Sequence, residues 1–204
     1  MKKMQVVVLH GGESFRSPAI YEDVLRSREI TADRLRPSVD WKMSLQDALG
    51  PTYDILAPHM PLSDNARYRL WKLWFDRCLE VMDNELILVG HSLGAIFLAR
   101  YLAEQKLKKN VYGLFLVAAP FVADTRADLP TDWMLPESLN GVDEQVPRIT
   151  FYHSTDDPVV PYGHVEAYHR LLPSATVRTF KDRGHFNQST FPELVEDIKK
   201  CHTA

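Results

Sequence analysis

Six short runs of mostly apolar residues punctuate the chain, separated by longer stretches of mixed polarity. Met4–Leu9 reads MQVVVL, Leu86–Val89 LILV, Leu114–Ala119 LFLVAA and Ile149–His153 ITFYH; Asp54–Ala57 and Thr176–Phe180 are weaker examples. A strand with one wet face alternates apolar and polar residues. Continuous apolar runs instead predict strands covered on both faces. The intervening segments carry helical spacing. Asn65–Met82 sets Trp71, Trp74 and Phe75 on or near one face, a pattern that reads as core rather than as an aromatic platform. Leu93–Gln105 is apolar nearly all round and is expected to be buried. His164–Leu172 stops at Pro173, and Phe191–Cys201 places Leu194, Val195 and Ile198 on one stripe. Strands alternating with helices imply a mostly parallel sheet with right-handed crossovers.

The 204 residues suit one domain, expected to span 1–204. Twenty-four basic against 27 acidic residues leave a formal charge of −3, which argues against a dedicated nucleic-acid binder. Cys78 and Cys201 form no metal spacing and read as free thiols. No run approaches the ~18–20 apolar residues of a membrane helix. After Met1-Lys2-Lys3 the apolar stretch is too short for a signal peptide, so cytoplasmic residence and no membrane partner are expected. Two stretches break the rhythm: a charged, partly helical insertion between Glu13 and Gly50, and a loop-rich excursion from Phe121 to Gln145. The charge run Arg26–Arg36 reads as a solvated face.

The chemistry concentrates at Gly90-His91-Ser92-Leu93-Gly94, which follows a buried strand directly and opens a helix. This is the strand-turn-helix context a G-x-S-x-G nucleophile elbow requires. The sharp turn projects the Ser92 hydroxyl at the sheet edge, and crowding there leaves Gly90 and Gly94 no room for a Cβ. A serine needs a base, and the base needs an orienting acid. Asp156 and Asp157, before Pro158, follow the fifth strand; His185, in Gly184-His185-Phe186, follows the sixth. Serine, acid and histidine thus come in order, each at a strand's carboxyl end, where open parallel sheets place their sites. Pro158 biases residue 157 toward extended backbone, which favours Asp157 as the acid and leaves Asp156 to the loop's own hydrogen bonds. The oxyanion needs two backbone donors. These are expected from the amide of Leu93 and from Gly12 in the His10-Gly11-Gly12 exit of the first strand, with Glu13 as the fallback.

The elbow GHSLG, the acid loop STDDPVVP and the ending DRGHFNQSTFPELVEDI resemble the small serine hydrolases of the retinoblastoma-binding protein 9 type, within the α/β-hydrolase superfamily. The likeness runs from about Met4 to Lys200. It implies Ser92 as nucleophile, His185 as base and Asp157 as acid. It also implies an α/β-hydrolase sheet of about six parallel strands in the order 2-1-3-4-5-6, with helices on both faces and no large lid. Two departures stand out. The insertion after Glu13 is longer than in typical members, and no Leu-x-Cys-x-Glu motif is present, the nearest stretch being Asp76-Arg77-Cys78-Leu79-Glu80.

The expected function is hydrolysis of a small-molecule ester through an acyl-serine, with no cofactor. The alternatives are an acyltransferase or perhydrolase using the same acyl-serine, or a binding module that retains the fold. His10, His59 and His91 show no metal-ligand spacing, so no metal is expected. His91 is expected to pack beneath the elbow and His10 to hold the oxyanion loop. Phe121, Trp133 and Met134, on the excursion after the fourth strand, are the candidate substrate contacts.

Overall fold

The computed structural model describes residues 2–32, 35–36, 39–122 and 130–202. The apolar runs form six strands: β1 (Met4–Leu9), β2 (Tyr53–Leu56), β3 (Glu85–His91), β4 (Asn110–Val117), β5 (Ile149–Ser154) and β6 (Thr176–Phe180). They pair in parallel in the order β2-β1-β3-β4-β5-β6, as expected. The helices are α1 (Pro18–Ser27), α2 (Trp41–Leu49), α3 (Tyr68–Val81), α4 (Leu93–Glu104), α5 (Asn140–Asp143), α6 (Gly163–Leu171) and α7 (Pro192–His202). Among the described residues no helix is long and apolar enough to cross a membrane.

Successive strand residues point to opposite faces, and both faces are covered. Val7, Leu9, Leu86, Leu88, Leu114, Leu116 and Phe151 join a core with α3, α4 and α6. Val6, Val8, Ile87, Val89, Phe115, Val117 and Tyr152 join a second core with α2 and α7. This is why the strands read as continuous apolar runs. Trp71 and Phe75 are fully buried in the first core, whereas Trp74 faces out. Helix α3 begins at Tyr68 rather than near Asn65, because residues 65 and 66 are engaged elsewhere. The Asn65 amide closes a turn to Leu62 O (2.9 Å), while Asn65 Oδ1 accepts from Phe15 N (3.3 Å) and the Ala66 amide donates to Glu13 O (2.8 Å), so this stretch is bound to the segment after β1. The insertion holds α1 and α2. Helix α1 buries no residue, while α2 seats Trp41, Leu45 and Leu49 in the second core.

Helix α4 lies against the sheet as the sequence predicts, with Leu93 to Ala99 wholly buried. Its first turn presses on the exit of β1. A Cβ on Gly94 would stand 2.6 Å from the carbonyl oxygens of both Leu9 and His10, and one on Gly90 would stand 2.6 Å from Gly94 O. Backbone cannot yield as a side-chain tip can, so Gly94→Ala should destabilise the protein by about 3 kcal/mol, at the upper end for overpacking. Urea unfolding checks this; a loss below about 0.5 kcal/mol would contradict the close approach.

Candidate active site

Ser92 sits between β3 and α4 at φ 53°, ψ −118°, a conformation a serine adopts only when its surroundings enforce it. Its amide donates to Val117 O (2.8 Å), tying the turn to the neighbouring strand, and its carbonyl starts the helix by accepting from Ala95 N (2.9 Å). The Ser92 hydroxyl makes no capping bond to the helix. The helix's amino end, with its partial positive charge, lies directly behind it.

The acid loop resolves into two carboxylates with different partners. Asp157 reaches His185: Nδ1 lies 2.8 Å from Oδ2 and 3.1 Å from Oδ1. Oδ1 also accepts from the amides of Val159 (2.8 Å) and Val160 (2.9 Å), and the side chain has no solvent exposure. Burial pushes the Asp157 carboxyl up, but the His185 ring and the two amides outweigh it, so the group lies below its ordinary range and is ionised at neutral pH. Asp156 turns the other way. Its Oδ1 accepts from the Ser154 hydroxyl and from Gly184 N (3.0 Å), which joins the acid loop to the histidine loop.

His185 stands beside the elbow. His91, the residue before Ser92, donates from Nε2 to the His185 carbonyl (2.8 Å), and the two rings are 5.0 Å apart. No hydrogen bond joins the His185 ring to the Ser92 hydroxyl; such contacts often form only when substrate is bound. His91 is 5% exposed, so it packs under the elbow and holds the loop as well. Burial, reinforced by Lys42 and His185, pushes its pKa down to about 3.

The exit of β1 folds over the elbow. A Cβ on Gly12 would meet Ser63 O at 2.5 Å and Leu93 Cδ2 at 3.3 Å. The amides of Gly12 and Leu93 have no acceptor among the described residues, whereas the Glu13 amide is committed to Ser63 O (2.8 Å), which removes Glu13 as the fallback donor. His10 braces this turn. Its Nε2 accepts from Met60 N (2.9 Å), so the proton is on Nδ1, which donates to Gly11 O (2.6 Å). Burial lowers its pKa and keeps it neutral.

Of the three candidate substrate contacts, Trp133 is the one its burial sets aside. Trp133 is fully buried, set edge-on against Tyr68 and Trp71, and its Nε1 donates to Ser14 Oγ (2.9 Å). It belongs to the core over α3 and has no face left for substrate. Phe121 and Met134 are half-buried and pack on the same core; Phe121 stands edge-on to Tyr168 and its amide donates to His164 Nδ1 (2.7 Å). Residues 123–129 of that excursion lie outside the described residues. A groove of about 310 Å³ lined by Arg148, Thr150, Thr176, Arg178, Asp197 and Lys200 opens near the strands' amino ends, the other end of the sheet from Ser92. No metal-binding group of three or more ligand side chains occurs among the described residues.

The sheet order, the strained strand-to-helix turn and the loops gathered at the carboxyl edge define an α/β-hydrolase fold. The chain belongs to the serine hydrolase family, whose model matches residues 36–197. It is 31% identical over 155 residues to the serine hydrolase RBBP9 of Rattus norvegicus, covering 75% of this chain and 80% of that protein. Among solved structures it is similar to the ydeN gene product of B. subtilis, at TM-score 0.71 and 18% identity over 99% of this chain and 100% of that one. It is also similar to the esterase Pf2001 of Pyrococcus furiosus, at TM-score 0.62 and 15% identity over 99% of this chain and 83% of that one.

The buried imidazoles set a pH dependence of stability. His91, His10, His153 and His164 all titrate below 6.5 in the folded chain, chiefly because burial disfavours the cation. The unfolded chain therefore binds more protons below pH ~6.5, and stability falls with pH from there. For His91 alone, with its folded value near 3, the loss between pH 6.5 and 5 is about 2 kcal/mol. Urea midpoints at pH 7.5 and pH 5.0 check this; equal or greater stability at pH 5.0 would contradict it.

Proposed function

We propose that this serine hydrolase cleaves small-molecule carboxylic esters through a Ser92–His185–Asp157 triad. The observation that carries the reading is the buried Asp157 carboxylate paired with His185 Nδ1 beside a strained serine elbow. With Nδ1 hydrogen-bonded to a carboxylate, the other ring nitrogen is the one free to take a proton. His185 accepts the Ser92 proton through Nε2 as the hydroxyl oxygen attacks the ester carbonyl. Asp157, ionised and held by two amides, stabilises the resulting imidazolium. The amides of Leu93 and Gly12 receive the oxyanion; a donor in that position contributes roughly 3–4 kcal/mol to lowering the barrier. The imidazolium protonates the leaving alcohol, the acyl group stays on Ser92 Oγ, and a water deprotonated by His185 releases it as the acid. An ester asks less of this general acid than an amide does, because its leaving oxygen expels more readily. No step calls on a cofactor. We place the protein in the cytoplasm, a reducing compartment that suits its two unpaired cysteines.

Ser92→Ala should leave less than about a thousandth of p-nitrophenyl ester turnover with the fold intact. Asp157→Asn should lose at least about a hundredfold, since it removes the charge facing the imidazolium. Asp156→Asn, which touches only loop contacts, should lose less than about tenfold. A Ser92→Ala enzyme retaining a tenth of the rate would overturn the triad, and reversed effects of the two Asp variants would move the acid to Asp156. A panel of p-nitrophenyl esters of rising acyl length then sets the substrate size.

A further inference from the structure

The insertion between β1 and β2 has a physical job that the triad does not account for. Its second helix, α2, begins at Trp41, capped by the Asp40 side chain, which accepts from Lys42 N (3.0 Å). The opening of this helix meets the loop that follows His185. The Trp41 amide donates to Gln188 O (2.9 Å), Trp41 Nε1 donates to Phe186 O (2.9 Å), and Ser44 Oγ stands 3.0 Å from both Ser189 O and Trp41 O, sharing its one proton between the loop and its own helix. From the elbow side, His91 Nε2 donates to the carbonyl of His185 itself (2.8 Å). Two consecutive carbonyls, those of residues 185 and 186, are therefore each held by a ring N–H. The rings are mutually packed: Trp41 stands edge-on to His91 at 6.1 Å and to Phe191 at 5.6 Å.

The loop needs such holding. Phe186 sits at φ 55°, left-handed for a bulky side chain, with its ring fully buried. That conformation costs free energy unless the surroundings fix it. A rotation of the 185–186 peptide would swing the His185 side chain on its pivot, and a misplacement near 1 Å can cost about a hundredfold in rate.

We propose that Trp41 is a positioning residue for His185: α2 clamps the histidine loop against the elbow, His91 holds the 185–186 peptide and the indole N–H holds the 186–187 peptide that follows, so that together they fix the strained Phe186 backbone next to the residue that carries the imidazole. The proposal rests on the triad reading for its effect on rate, but not for the clamp itself. Trp41→Phe keeps an aromatic ring in the core and deletes the N–H. It should lower kcat for a p-nitrophenyl ester at least tenfold with KM within about twofold. Backbone amide exchange across 184–190 should quicken at least tenfold while that of β5 stays as in the wild type. Ser44→Ala, which removes an outer bond of the same clamp, should move both readouts the same way by about two- to fivefold, and it carries the test should Trp41→Phe fail to fold. Leu79→Ala, which loosens the core on the opposite face of the sheet, should lower the melting temperature and leave kcat of the folded enzyme within about twofold. Unchanged exchange in 184–190 would overturn the clamp. Faster exchange with unchanged kcat would overturn the positioning role, and so would a Leu79→Ala enzyme as slow as Trp41→Phe. A wild type that turns over no ester would sink the hydrolytic reading, and the exchange measurement would still decide the clamp.

Discussion

The structure depends on the tight passage from β3 into α4. For the chain to reverse from strand to helix within one residue, Ser92 must take a left-handed backbone, and the helix must lie so close to β1 that a Cβ on Gly94 would collide with two carbonyl oxygens across the gap. That closeness sets much else. It brings the exit of β1 over the start of α4, so Gly12 lies against the Leu93 side chain. It also places His91 below the turn, within reach of the His185 carbonyl. The strain at Ser92 is offset by the fully buried body of α4 and by the amide bond to Val117.

Strain is not confined to the elbow. Among the described residues, the non-glycine positions with positive φ are Leu62, Ser92, Ala118 and Phe186. Each lies on a segment leaving the carboxyl end of a strand: β2, β3, β4 and β6 respectively. Parallel sheets gather their functional loops at that edge, and here the same edge carries the backbone departures. Packing holds Ala118 and Phe186, which are fully buried, and hydrogen bonds hold the segment around Leu62. The site is thus braced from several directions: His10 with Met60, Ser63 with Glu13, Asp156 with Gly184, and α2 with the histidine loop.

What was legible in the sequence follows from how local each signal is. The strands were legible because burial on both faces leaves an unbroken apolar run, and the elbow because its glycines and serine must be adjacent. Pro158, acting on its immediate neighbour, pointed to Asp157 rather than Asp156 as the carboxylate that meets the His185 ring, and that is the contact the structure shows. Trp41 was not legible: its partners lie 145 positions away, and nothing in a charged insertion announces that one tryptophan turns inward. Trp133 misled for the same reason. Its place after β4 suggested a pocket wall, but its burial is decided by Tyr68, Trp71 and Ser14, far away in sequence. The Asp40 cap directly before Trp41 was the local hint that a helix starts there.

The central claim is that Ser92 is an activated nucleophile. Its most direct test is reaction of the native protein with a fluorophosphonate probe, followed by peptide mapping of the adduct. The account predicts one covalent phosphonyl adduct, on Ser92, formed by the folded protein and lost on prior denaturation. An unlabelled native protein, or an adduct on any other residue, would contradict it.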